Sequence, residues 1–154
     1  MPDAEIARAV HVVAVVLWIG GVGFVTLCLL PYCRAELAPE VAVAAFEAME
    51  RRFAALARVL ILVAGGSGLW MIDRYGLMER FLDPSFWWMH AMIAVWLMFF
   101  FSVFVAEPLF LHPWFARRAA RDPAGTLRLV WILHLVLLTA SLITAFGAVL
   151  GVHG

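Results

Sequence analysis

The sequence has no lysine; all eleven basic residues are arginine, balanced by eleven acidic ones to a formal net charge of zero. That balance leaves no basic footprint of a nucleic-acid binder. Charge of either sign is scarce, at 14% of the 154 residues, against about 25% in an ordinary soluble domain. Cysteine is nearly absent: Cys28 and Cys33 are the pair, and their spacing makes neither a disulfide framework nor a strong metal motif. Also missing is any polar stretch long enough to be a soluble domain.

Hydrophobic residues make up 66% of the chain, and its mean hydropathy is +0.98. A bilayer is the solvent that suits it. Four windows reach the about 20 apolar residues that a membrane-crossing helix needs: residues 10–30, 53–72, 86–106 and 129–152. The first follows Arg8, as a secretory signal would, but its apolar run is longer than the roughly 7 to 15 residues of a signal core and no small-residue cleavage site follows. It reads as a retained span. The expected fold is an all-α, integral membrane four-helix bundle in one domain spanning residues 1–154, with both termini on one side.

Orientation follows from arginine placement. The first connection carries Arg34, Arg51 and Arg52, and the third carries Arg117, Arg118, Arg121 and Arg128. The other side holds Arg8, Arg74 and Arg80 beside Asp3, Glu5, Asp73, Glu79 and Asp83. The positive-inside rule puts the two Arg-rich connections in the cytoplasm and both termini outside. Pro31, Pro39, Pro84, Pro113 and Pro123 are expected at or just outside span ends, where a missing N–H costs little. Asp83 and Ser85 are candidate caps for the third helix. The stretch V-A-V-A-A-F-E-A-M-E-R-R-F reads as an amphipathic helix that extends the second span, with Glu47 and Glu50 near Arg51 at helical spacing.

Glycines recur as G-G-V-G at 20–23, A-G-G-S-G at 64–68, and Gly147 with Gly151. Small residues let membrane helices approach closely; a second use would be to make room for a flat cofactor.

Five histidines carry the chemical question, because an ionisable side chain in a bilayer is costly enough to imply use. His11 and His90 fall near the starts of the first and third spans, which run in the same direction, so at 1.5 Å per residue they sit within roughly 5 Å in depth. Two such histidines facing each other across a bundle suit bis-imidazole ligation of haem iron. Copper ligation and plain hydrogen-bonded packing remain open for the pair. Arg8, Arg74 and Arg80 are placed to meet haem propionates, and Trp18, Trp87 and Trp88 to line a porphyrin, unless these tryptophans are interfacial anchors. His134 lies near the opposite face and cannot share that iron; with His112 it would make a second haem site, and otherwise it is structural. His153 reads as a frayed terminus. Met89, Met92 and Met98 are thioethers that suit Cu(I) but serve equally as packing. Glu107 belongs to a proton path or, close to the membrane edge, merely snorkels or pairs with Arg117 or Arg118.

Three motifs suggest a family. H-V-V-A-V-V-L-W-I-G-G-V-G-F in the first span, F-E-A-M-E-R-R-F before the second and W-M-H opening the third resemble the membrane group that includes HemJ-type protoporphyrinogen oxidases and the copper-resistance protein CopD. The resemblance covers most of the first three spans and weakens over the fourth. It implies a small helical bundle in the bacterial inner membrane, binding haem b. His11 matches a first-span histidine, and His90 matches the histidine of a third-span His-x-Lys motif. Met92 stands where the lysine is expected, which sets porphyrinogen oxidation in doubt and leaves the haem site. The expected role is therefore electron transfer, or oxidation of a membrane-soluble quinol or porphyrinogen, with a quinone, a redox protein or a second copy of the chain as candidate partners besides lipid. A copper-handling transporter and a cofactor-free assembly subunit are the alternatives.

Overall fold

A computed structural model describes the backbone of residues 2–153 and the side chains of residues 3–151; the expectation for the His153 side chain falls outside the described residues. Four long helices account for nearly all of it: α1 (Asp3–Glu36), α2 (Pro39–Arg74), α3 (Pro84–Ala119) and α4 (Pro123–Gly151), each long and apolar enough to cross a membrane. No strand occurs among the described residues. Every helix outruns its apolar window, and the amphipathic stretch at 41–53 is continuous with α2.

Neighbours alternate in direction. Asp3 at the start of α1 pairs with Arg74 at the end of α2 (2.8 Å), and Trp88 at the start of α3 lies on Gly151 at the end of α4. One end thus carries both termini, and the other carries most of the arginines. α1 packs most extensively on α2, while the α2–α3 contact is the slimmest between neighbours.

The helices are inside-out by soluble standards. Alanines 14, 42, 54, 57 and 64 are buried, whereas Leu17, Leu27, Val59, Leu62, Phe110, Val136 and Phe146 are more than half exposed. Such an exterior fits lipid, and such an interior lets helices approach. The glycines serve the same end differently from a backbone-to-backbone seam: they seat aromatic rings. Phe53 of α2 lies on Gly21, Trp96 of α3 on Gly65, Trp87 on Gly147 and Trp88 on Gly151, each where a Cβ would collide with the ring. Gly20 and Gly66 face open space.

Buried hydroxyls return to their own helix. Thr26 donates to the carbonyl of Val22 (2.7 Å), Thr126 to Asp122 (2.6 Å), Ser141 to Leu137 (2.8 Å) and Thr144 to Ala140 (2.8 Å). Two bonds between helices come from indoles: Trp96 Nε1–H donates to the carbonyl of Ile61 (2.8 Å), and Trp131 Nε1–H to that of Thr26 (3.0 Å).

Proline placement is partly corrected. Pro39, Pro84 and Pro123 open helices, where the absent N–H is an orphan anyway. Pro31 and Pro113 lie inside α1 and α3, as does Pro108. Each helix accommodates them by widening into π turns, over Val25–Leu29 and Ser102–Leu111. Leu30 N–H reaches Val25 O and His112 N–H reaches Glu107 O, a five-residue spacing that relieves the clash of a proline ring with the carbonyl four residues back. α2 ends at Gly76, whose φ of 62° is the left-handed conformation that stops a helix without a Cβ clash. Asp83 then accepts the Ser85 N–H (2.8 Å) and caps the turn Pro84–Phe86 that opens α3.

Candidate functional site

His11 sits on the α2-facing side of α1. Its Nδ1–H donates to the carbonyl of Ala64 (2.8 Å), with the Ser67 hydroxyl at 3.3 Å, and Gly68 packs flush against its ring. Ser67 in turn donates to the carbonyl of Val63 (2.5 Å). α2 contributes the Ala64 carbonyl and, at Gly68, a surface where a Cβ would already be in van der Waals contact with the imidazole. With Nδ1 carrying the proton, Nε2 keeps its lone pair. A histidine fixed at one nitrogen by a backbone carbonyl is oriented as metal-ligating histidines are.

His90 is arranged oppositely. It is exposed near the start of α3, its Nε2–H donates to the carbonyl of Phe81 (3.1 Å), and its ring stands edge-on to Phe81 at 5.6 Å. Only Nδ1, crowded by its own Cγ, is left to ligate. His134 Nδ1–H donates to the carbonyl of Val130 one turn back (2.9 Å), and its ring packs edge-on to Phe46 of α2. His112 continues the helix past Pro108 and is exposed. Among the described residues no hydrogen bond or ring contact joins His11 to His90 or His134 to His112, and no group of three or more His, Cys, Asp or Glu side chains gathers as a metal cluster.

The other expected haem neighbours are dispersed. Arg74 is held by Asp3 and lies over Trp70 at 5.2 Å. Arg80 lies over Phe86 at 5.0 Å, and Arg8 is exposed. Trp87 and Trp88 fill the α3–α4 seam over their glycines. Trp18 is 4% exposed in the central core and meets Phe99 edge to face at 4.8 Å. Its Nε1–H is buried with no partner among the described residues.

Tested on donor chemistry, a haem iron fits His11, which offers Nε2 in the right tautomer. It fits His90 only after that ring leaves Phe81.

One polar feature was missed in the sequence. Arg58, inside the second apolar window, bonds to Glu107 of α3 (3.2 Å), and Glu50 and His112 lie within electrostatic reach. Arg117 and Arg118 are therefore not the partners of Glu107; they lie ten or more residues further along α3, about 15 Å away, while α2 presents Arg58 directly opposite. The signal was available, because an arginine within an apolar window needs a partner. Likewise Arg51 makes no ion pair with Glu47 or Glu50 among the described residues. Cys28 and Cys33 are both free, the first exposed and the second buried.

Comparison with protein-family models, with curated proteins and with solved structures finds no match for this chain.

Proposed function

We propose that the chain is a multi-pass protein of the bacterial inner membrane that holds haem b near the end carrying both termini, with that end facing outward, and that it serves electron transfer or the oxidation of a quinol-like substrate. The observation that carries this reading is the tie between His11 Nδ1–H and the Ala64 carbonyl (2.8 Å), which in a neutral imidazole leaves the Nε2 lone pair for a metal. His90 would also hold the haem iron in this reading, once it gave up the Phe81 carbonyl. A bound haem supplies one-electron exchange at a potential set by its axial ligands and burial. The chain's own contribution is orientation: Ala64, Ser67 and Gly68 fix the imidazole plane, and the apolar exterior of α1 and α3 keeps bulk water from it.

The test is a reduced-minus-oxidised spectrum of the detergent-purified chain, with haem and copper determined on the same sample. A b-type spectrum that His11→Ala reduces at least about tenfold, and that His134→Ala leaves, is expected. No Soret band with stoichiometric copper would assign a copper-handling role. Absence of both would leave a structural or assembly subunit.

A further inference from the structure

Two open depressions lie away from His11 and His90, at the Arg-rich end. The larger, about 350 Å³, opens between the end of α1 and the start of α4. Buried Cys33 and Leu127 form its floor, Leu37 and Pro39 add apolar wall, and Arg34 and Arg128 provide its charge. No carboxylate lines it, and neither arginine makes an ion pair among the described residues.

Arg34 is positioned rather than loose. Its guanidinium lies over the Trp131 ring at 4.8 Å, and that indole is itself pinned by its N–H bond to the Thr26 carbonyl (3.0 Å). The carboxylate at the head of α4, Asp122, is turned to its own cap, where Oδ1 accepts the Gly125 N–H (2.9 Å). The pocket thus presents two uncompensated guanidinium groups above an apolar floor.

Depth sharpens the chemistry. Arg34 follows the first apolar window and Arg128 immediately precedes the fourth. α1 has 34 residues, hence about 51 Å of helix against a hydrocarbon core of about 30 Å, so its Arg-rich end stands in the headgroup layer. There, a phosphate with a hydrocarbon tail meets both requirements: fork-shaped donors for its oxygens and apolar wall for its glycerol and first methylenes. Basic pockets between membrane helices are suited to anionic headgroups.

We propose that this pocket binds the phosphate of an anionic membrane phospholipid, clamped by Arg34 and Arg128. The site is independent of the haem reading and would stand if that reading fell.

The test is native mass spectrometry of the full chain released from detergent after incubation with phosphatidylglycerol or phosphatidylcholine. One phosphatidylglycerol retained per chain is expected, with phosphatidylcholine lost. The R34Q/R128Q variant should bind it about tenfold or more weaker, while R117Q/R121Q, altered at the neighbouring arginine cluster, retains it. R34K/R128K, which keeps the charge without the fork, should fall between and guards against a folding defect. Equal retention by R34Q/R128Q and the parent, or equal retention of phosphatidylcholine, would overturn the assignment. Inorganic phosphate is the second probe: competition with the lipid, dependent on the same two arginines, supports a shared phosphate site. Phosphate binding that phosphatidylglycerol fails to displace would assign the pocket to a soluble anion and overturn the lipid.

Discussion

The two ends of the bundle use unlike devices to bring helices together. At the end with the termini, rings are seated on glycines: Trp87 and Trp88 on α4, and the His11 imidazole against Gly68 on α2. At the Arg-rich end, prolines widen α1 and α3 into π turns, charges meet across the slim α2–α3 contact, and the cavities open. The first end is closed by shape with one ion pair, Asp3–Arg74, at its rim, and the second relies on the Arg58–Glu107 pair. A planar cofactor at the first would have to displace rings or rotate His90, whereas an anion at the second would meet two arginines in an open depression.

Overpacking tests the closed end most severely. Gly147→Leu drives a side chain into Trp87 and should destabilise the chain by about 1–3 kcal/mol, read as a lower thermal midpoint in detergent. Gly20→Leu faces open space and should change little; equal losses at both would mean the seating of rings is incidental.

The Arg58–Glu107 pair tests the charge-held end. Glu107→Leu leaves Arg58 without its partner and should cost about 1–3 kcal/mol, toward the lower figure because Arg58 is partly exposed. Adding Arg58→Leu should recover most of the loss, since a pair replaced as a unit strands no charge. A double variant as unstable as the single would show that Arg58 acts through something other than this pair.

Between the two ends lies Trp18, whose unpartnered N–H makes Trp18→Phe nearly neutral by expectation, within about 1 kcal/mol, because lost volume and a removed orphan donor offset each other. A loss well beyond that would reveal an acceptor for the indole.

The smallest effect is pH-linked and sits at the α3 cap. The Ser85 N–H bonded to Asp83 holds that carboxyl below the usual carboxylate range. A depressed carboxyl stabilises fully above its unfolded value, and the contribution disappears as pH falls through the folded one. Asp83→Asn should therefore flatten a slight acid-side loss of stability and leave the neutral-pH midpoint nearly unchanged. An unaltered acid limb would remove the cap from the account.

How much of this was readable beforehand follows the range of the interaction. The four helices were legible because long apolar runs are local, and so was the Asp83 cap, which joins residues two apart. Pro31 and Pro113 were misplaced at helix ends because a proline's cost depends on whether the turn before it can widen, which composition does not reveal. The Arg58–Glu107 bond was invisible as a pair, since it depends on which faces of α2 and α3 meet. His11 could be singled out as costly in lipid, but its carbonyl partner is 53 residues away. His90 was singled out the same way, but its bond to the Phe81 carbonyl depends on the path of the connection before α3, which only the structure supplies.

The hydroxyls that bond back within their own helices have a consequence for biogenesis. A helix whose Thr and Ser side chains are satisfied one turn away can leave the translocon singly, without waiting for a neighbour to quench a polar group. What waits for a neighbour is the indole, with the His11 imidazole and the Arg58 guanidinium. Trp96 and Trp131 acquire their carbonyl acceptors only when α3 meets α2 and α4 meets α1, so these bonds belong to helix association and not to the insertion of a single helix.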